Sequence, residues 1–145
     1  MTLRIEELTV TYRDSDHALL ALDRVALTLK PGRITALVGE SGSGKTTLAK
    51  AMMGLLPANA EIFGGVSLDG TEITGLDEAG LNEIRWSRVA MVFQNGAANL
   101  NPVHRIIDQV AEPLLEREQG KRRETHALAD RRLDTMGLQH EKRRC

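Results

Sequence analysis

The sequence predicts an α/β fold in which a glycine-rich loop joins a buried strand to a helix, with a small antiparallel β-region ahead of the loop. Three observations carry this prediction. Residues 39–46 read GESGSGKT and fit the phosphate-binding pattern G-x-x-x-x-G-K-[ST]. An apolar run at 34–38 precedes this motif and helix-forming residues at 47–53 follow it, so strand, loop and helix come in the required order. Strand-like apolar patterns fill the chain before Pro31.

The N-terminal β-region is predicted from a near-alternation of apolar residues. The alternating positions are Leu3, Ile5, Leu8, Val10 and Tyr12. Two further strand-like runs lie at 19–20 and 25–29. The polar residues 13–17 are expected to form a turn between the first two strands, and Pro31-Gly32 a tight turn into the run 34–38.

The chemistry of a polyphosphate explains the residue types of the loop. Several backbone N–H groups must converge on the anion, and the glycines Gly39, Gly42 and Gly44 allow the chain to curl that tightly. Lys45 would place a cation against the β- and γ-phosphates, and the Thr46 hydroxyl could ligate Mg²⁺. A nucleoside triphosphate site is therefore predicted. The alternative is a flexible Gly/Ser linker that contains a lysine by chance, and the flanking strand and helix patterns disfavour it.

Beyond the first helix, the pattern predicts two more strands and a short helix. Residues 64–70 read as a strand followed by its turn, and residues 89–93 (VAMVF) as a second buried strand that ends at Gln94. Asp77 is placed to cap a helix that runs to about Trp86. A polar loop at 95–101 follows.

Two helices are predicted toward the end of the sequence. The first is indicated by apolar residues at near-helical spacing, and Pro113 is expected to kink or end it. The second is indicated by a repeat at i, i+4 and i+7, with Gly137 placed just beyond it as a C-terminal cap. The apolar positions of the two helices are Ile106, Ile107, Val110 and Leu114, then Ala129, Leu133 and Met136.

Composition bounds the class of protein. The 145 residues suffice for one domain or part of one, with 41% hydrophobic and 27% charged residues and a net charge of −1. The sole cysteine, Cys145, permits neither a disulfide framework nor a cysteine metal site within one chain, and a reducing, cytosolic setting fits best.

No run is apolar enough to span a bilayer, and no signal peptide is visible. Residues 117–144 hold nine Lys/Arg against five Asp/Glu, but interrupting acids and the lack of aromatics disfavour a nucleic-acid partner.

Taken together, the motifs resemble the ATP-binding subunits of ABC transporters, and the resemblance extends over the whole sequence. The loop has that family's GxSGSGKTT form, Tyr12 lies where the family places an aromatic residue, and residues 91–94 (MVFQ) match its glutamine-loop strand. The resemblance implies a P-loop NTPase fold of the ABC ATPase type that binds ATP and Mg²⁺. The implied nucleotide-binding residues are Tyr12, Gly39, Glu40, Ser41, Gly42, Ser43, Gly44, Lys45, Thr46 and Thr47.

Two of the implied roles have a structural alternative. Tyr12 would stack on the adenine ring, or it is a strand residue packed in the β-region. Gln94 would sense Mg²⁺ and the attacking water, and Thr46 and Gln94 together would form the implied metal site. The alternative is that Gln94 only ends a strand.

Residues 100–102 (LNP) and 107–114 (IDQVAEPL) resemble the importers of peptides and nickel more specifically. The resemblance implies transmembrane permease subunits and a second ATP-binding subunit, identical or not, as partners, at the cytoplasmic face of the plasma membrane. Those relatives usually have Asp-Pro after the glutamine, whereas Asn95-Gly96 follows Gln94 here, which weakens the prediction of cargo.

Three motifs of the family have no counterpart in residues 1–145: the LSGGQ signature, the second acidic motif and the switch histidine. Asp69 ends an apolar run, but Gly70 follows where a catalytic glutamate belongs, so we interpret Asp69 as a turn residue. We therefore expect residues 1–145 to be the N-terminal part of one ATP-binding domain, incomplete at its C-terminus, with no catalytic residue and no efficient hydrolysis alone. The alternative is a non-catalytic ATP-binding fragment or gene remnant without transport activity.

Overall fold

The computed structural model of the chain describes residues 1–85, 87–94, 96, 100–117 and 122–138, which fall into two units, Met1–Met91 and Val92–Cys145. The first unit is built on an antiparallel sheet in the order β2-β1-β3-β4, so β1 is paired on both sides. Its strands are β1 (Leu3–Arg13), β2 (Ala18–Leu29), β3 (Ala60–Leu68) and β4 (Thr71–Glu72). The predicted antiparallel β-region is confirmed, although the runs 19–20 and 25–29 belong to one strand rather than two.

A β-bulge in β1 explains why its apolar residues alternate imperfectly. The buried side chains are Leu3, Ile5, Leu8 and Val10, with a three-residue step in the middle. Within that step Glu7 adopts a positive φ of 47°, and the register shifts against both neighbouring strands. The extra residue turns the following side chains back to the buried face, so both halves of β1 contribute to one core.

The core of the first unit joins the sheet to two helices, α1 (Lys45–Met52) and α2 (Glu78–Ile84). Leu48 and Ala51 of α1 and Leu81 and Ile84 of α2 belong to the same buried cluster as the inward residues of β1 and β3. The Asp77 side chain accepts a hydrogen bond of 2.9 Å from the Gly80 amide, which confirms the predicted helix cap.

Arg85 ties the end of α1 to the end of α2. Its guanidinium donates to the carbonyl oxygens of Met53 (3.1 Å) and Gly54 (2.9 Å) and forms an ion pair of 2.8 Å with Glu78. These carbonyls lie at the C-terminal end of α1, where no further helical turn satisfies them. The α1 helix, whose other end begins at the glycine-rich loop, is thereby anchored to the core.

The two predicted buried parallel strands are not formed. Residues 34–38 contain no strand, and Ile34 and Val38 are almost fully exposed. Of residues 89–93, Val89 makes an isolated parallel bridge with Arg85, while Val92 is 96% exposed. A parallel strand is stable only where neighbours pair with its backbone and cover its faces, and no described strand lies beside residues 34–38. The apolar composition indicates what the segment can bury, not what is there to cover it.

The second unit contains two helices that pack together, α3 (Ile106–Arg117) and α4 (Arg122–Thr135). Pro113 lies inside α3 and does not end it, and of the two expected effects the kink stays a prediction. Ala111 beside it is buried, and α3 packs on α4. Gly137 caps α4 as predicted, with a φ of 75° and a hydrogen bond of 2.9 Å from the Leu138 amide to the Leu133 carbonyl. Met136 is exposed rather than part of the buried stripe.

Candidate functional site

The glycine-rich loop leads directly into α1, as the sequence predicts. Gly42 (φ 82°) and Gly44 (φ 86°) adopt left-handed conformations, and Gly44 is the residue that precedes the first helical turn. No side chain caps this helix start, and the first intrahelical bond runs from the Leu48 amide to the Gly44 carbonyl (2.9 Å). The positive end of the helix and its first-turn amides therefore face the loop without a capping group, which is the arrangement an anion requires.

The Lys45 ammonium lies over the loop. Its Nζ donates to the carbonyl oxygens of Gly39 (2.8 Å) and Glu40 (2.5 Å) and to Ser43 Oγ (3.1 Å). All three acceptors are uncharged atoms of the loop itself. A phosphate oxygen can therefore replace one of these neutral acceptors with a charged one, a stronger hydrogen bond.

Position 44 requires a glycine because the backbone there lies close to β2. A Cβ at this position would lie 2.6 Å from the Ala21 carbonyl oxygen and 2.8 Å from Leu22 Cδ2. At Gly42, by contrast, a Cβ would meet nothing within 4 Å. The two glycines share a positive φ and differ in the space beside them.

We expect Gly44→Ala to destabilise the chain by roughly 2 to 3 kcal/mol, because backbone strain adds to an overlap with β2. Gly42→Ala should cost only the strain, about 1 kcal/mol. Chemical denaturation followed by circular dichroism measures both. Equal losses in the two variants would show that the contact with Ala21 does not constrain the loop.

Tyr12 is brought to this site. Its hydroxyl donates to Thr47 Oγ1 at 3.2 Å, and its half-buried ring packs against the core cluster. The ring therefore has the packing role that the sequence left open, and the hydroxyl reaches α1 as well. Its stacking on adenine stays a prediction.

The other predicted residues of the loop are on the surface. Glu40, Ser41 and Thr46 are exposed, and the Thr46 side chain is accessible to a metal ion. Gln94 is an exposed turn residue of the second unit, and its role in Mg²⁺ binding stays a prediction. Of the loop predicted at 95–101, residues 95 and 97–99 lie outside the described residues.

Asp69 is a turn residue, as predicted. It has a φ of 49°, its Oδ1 accepts a hydrogen bond from the Thr2 amide (2.6 Å), and its Oδ2 pairs with Arg88 (2.5 Å). The hydrogen bond from the Thr2 amide, and then the positive charges of the N-terminus and Arg88, lower the pKa of its carboxyl from the ordinary value of an aspartate. The carboxylate is engaged in holding the N-terminus to the turn.

The second unit contains a set of hydrogen bonds from the Gln109 side chain that the sequence did not predict. The Gln109 side chain accepts from the Asn101 amide (2.7 Å) and donates to the carbonyls of Asn101 (3.0 Å) and His104 (2.9 Å). It thereby fixes the exposed turn at 101–104 against the start of α3. Gln109 lies in a stretch that resembles importers, but helical spacing alone does not show that a polar residue turns back onto the preceding loop.

Known proteins resemble this chain in family, sequence and fold. Residues 22–145 match the family described as ABC transporter. The chain is 34% identical over 142 residues to the oligopeptide transport ATP-binding protein OppD of Escherichia coli, covering 98% of this chain and 42% of that protein. It is 35% identical over 149 residues to a putative peptide import ATP-binding protein of Brucella abortus, covering 98% and 44%. The chain thus spans less than half the length of these curated relatives.

The fold resembles a solved ATP-binding cassette. The dimeric post-hydrolysis structure of MJ0796 bound to ADP and Pi superposes with a TM-score of 0.77 at 25% identity, covering 98% of this chain and 60% of that one. The predicted α/β fold of this type is confirmed. In the described residues, no helix is both long enough and apolar enough to cross a bilayer.

Proposed function

We propose, from the premise that this chain belongs to the ABC transporter family, that residues 1–145 form the N-terminal part of an ATP-binding domain in a peptide importer. The family binds ATP, and the named relatives are an oligopeptide transport ATP-binding protein and a putative peptide import ATP-binding protein. Nickel, the other cargo predicted from the sequence, is not named among these relatives. The sequence similarity extends over 98% of the chain and so includes the loop, Tyr12 and Gln94.

The observation that carries the proposal is the position of Lys45 over an uncapped helix start. The loop offers a cation, three glycines and the first-turn amides to one anion, and this donor set fits a polyphosphate. Residues 39–47 would hold the phosphates, the Thr46 hydroxyl and Gln94 would ligate Mg²⁺, and the Tyr12 ring would stack on adenine. Bound Mg²⁺ would neutralise phosphate charge.

The described residues support binding of the nucleotide, and none of them is placed to orient a water for cleavage. Hydrolysis requires a group that orients the attacking water. Asp69, the acid at the end of an apolar strand, is committed to Thr2 and Arg88 instead. We therefore propose that residues 1–145 bind Mg-ATP without efficient turnover.

The proposed partners are transmembrane permease subunits and a second ATP-binding subunit, at the cytoplasmic face of the plasma membrane. The dimeric state of MJ0796 supports the second subunit, and the transport names of the relatives support the permease. The exposed turn at 101–104, held by Gln109, is available for contact with such a partner.

Titration of the 145-residue chain with ATP, with and without Mg²⁺, tests the proposal. We expect saturable binding that Mg²⁺ strengthens, because Thr46 is accessible to the metal. Absence of binding at millimolar Mg-ATP would contradict the proposed function. The alternative, an ATP-binding fragment without transport activity, predicts the same binding but no restoration of peptide uptake in cells that carry the matching permease.

A further inference from the structure

The Tyr12 hydroxyl is fixed by the sheet, not by the loop. Tyr12 lies near the end of β1 and pairs with Leu19 on one side and Ala60 on the other. The next residue, Arg13, exchanges two further hydrogen bonds with Asn59, both of 2.9 Å. The backbone that carries the ring is therefore held by the sheet, and the hydroxyl lies 3.2 Å from Thr47 Oγ1 of α1.

Thr47, the acceptor of this hydroxyl, lies in the first turn of α1, two residues after Lys45. A helical threonine commonly donates its proton to the carbonyl four residues earlier, as Thr135 does to Arg131 (2.9 Å). In the described part of the chain Thr47 makes no such bond, and its one side-chain hydrogen bond is with Tyr12. Its hydroxyl proton is thus not used within the helix.

A hydroxyl that accepts one hydrogen bond can still donate one. Since Tyr12 occupies an acceptor position of Thr47 Oγ1, the Thr47 proton must point elsewhere, and chained hydrogen bonds polarise one another. We infer that Tyr12 is a positioning residue for the phosphate site, because its hydroxyl orients the Thr47 hydroxyl as a donor to a bound phosphate oxygen. This inference rests on the proposed function and extends it, since the family resemblance gave Tyr12 a contact only with the base.

The test measures dissociation constants for Mg-ATP and for Mg-tripolyphosphate, which has no base. Four forms of the 145-residue chain are compared: the unmodified chain, Tyr12→Phe, Thr47→Val and the double variant. We expect each single substitution to weaken both ligands by roughly three- to tenfold. The double variant should bind no more than about twofold more weakly than Thr47→Val, because the two hydroxyls act through one bond.

Three outcomes would overturn the inference. If Tyr12→Phe weakens ATP but not tripolyphosphate, the hydroxyl serves the nucleoside. If both ligands bind Tyr12→Phe normally, or if the losses multiply in the double variant, Tyr12 does not act through Thr47. A purely structural bond would lower the unfolding midpoint of the unliganded Tyr12→Phe chain while both affinities stayed unchanged.

The proposed function fails separately. If the unmodified chain binds neither ligand, the phosphate site itself is wrong and the inference falls with it. If the unmodified chain binds, Lys45→Ala does not, and Tyr12→Phe binds like the unmodified chain, only the inference is lost.

Discussion

Lys45→Ala is expected to weaken Mg-ATP binding by about 100-fold, the equivalent of roughly 3 kcal/mol. The Lys45 ammonium is the cation that lies over the loop, and it already makes three hydrogen bonds there. Removing it takes a charge-assisted contact from the phosphates in a site whose other donors are neutral amides and hydroxyls. Isothermal titration calorimetry measures the change.

Lys50→Ala is the matched control, because Lys50 lies on the same helix, in its last turn, away from the loop. It removes the same charge and should leave the affinity within about twofold, since Lys50 lies in the last turn of α1 and, in the described part of the chain, makes no hydrogen bond with the loop. Equal losses in both variants would indicate a general charge effect. Full affinity in Lys45→Ala would remove the phosphate-loop assignment.

Gly64→Ala is expected to destabilise the first unit by roughly 3 kcal/mol or more. Gly64 has a φ of 79°, and a Cβ there would overlap the carbonyl oxygens of Glu6 and Glu7 at the β1 bulge. These acceptors are backbone atoms of the central strand, so they cannot move without disturbing its pairing with β3. Urea denaturation followed by circular dichroism measures the loss.

Gly70→Ala separates the two contributions. Gly70 has a φ of 85°, but a Cβ there meets nothing within 4 Å, so only backbone strain of about 1 kcal/mol is expected. The difference between the two variants is the steric cost at the bulge. If Gly64→Ala is no worse than Gly70→Ala, the bulge adapts and the close approach does not determine the sheet.

Local patterns predicted much of the fold because their causes are local. The cap at Asp77 and the glycine after α4 depend on residues a few positions away, and both are found where the sequence places them. The strand predicted at 34–38 needed neighbouring strands that the segment's own sequence does not specify. The segment forms no strand and is exposed. The helix α3 continues past Pro113, since packing between α3 and α4 outweighs a local preference for ending the helix there.

The candidate site divides in the same way. The loop at 39–47 was predicted because all the residues of the phosphate-binding motif are consecutive in the sequence. The contact of Tyr12 with Thr47 and the close approach of Gly44 to β2 depend on the register of the sheet. Arg85 and Gln109 gave no signal, because their hydrogen bonds reach backbone carbonyls that no side-chain motif records.

Two exposed apolar segments carry a consequence for handling the chain. The side chains of Ile34 and Val38 in one segment, and of Val92 in the other, are almost fully exposed, and exposed apolar side chains favour association. The 145-residue chain by itself should be poorly stable or prone to aggregate. A chain that stays monomeric at high concentration would contradict this expectation, and the denaturation comparisons of the glycine variants are made on dilute samples.

The most direct test of the central claim follows binding and cleavage in one sample. The chain is mixed with excess Mg-ATP, and bound nucleotide and released phosphate are measured together. We predict that nucleotide binds at a ratio approaching one per chain and that phosphate is released no faster than in a sample without protein. Sustained phosphate release that Lys45→Ala abolishes would contradict a site that binds without cutting, and a chain that binds no nucleotide would contradict the site itself.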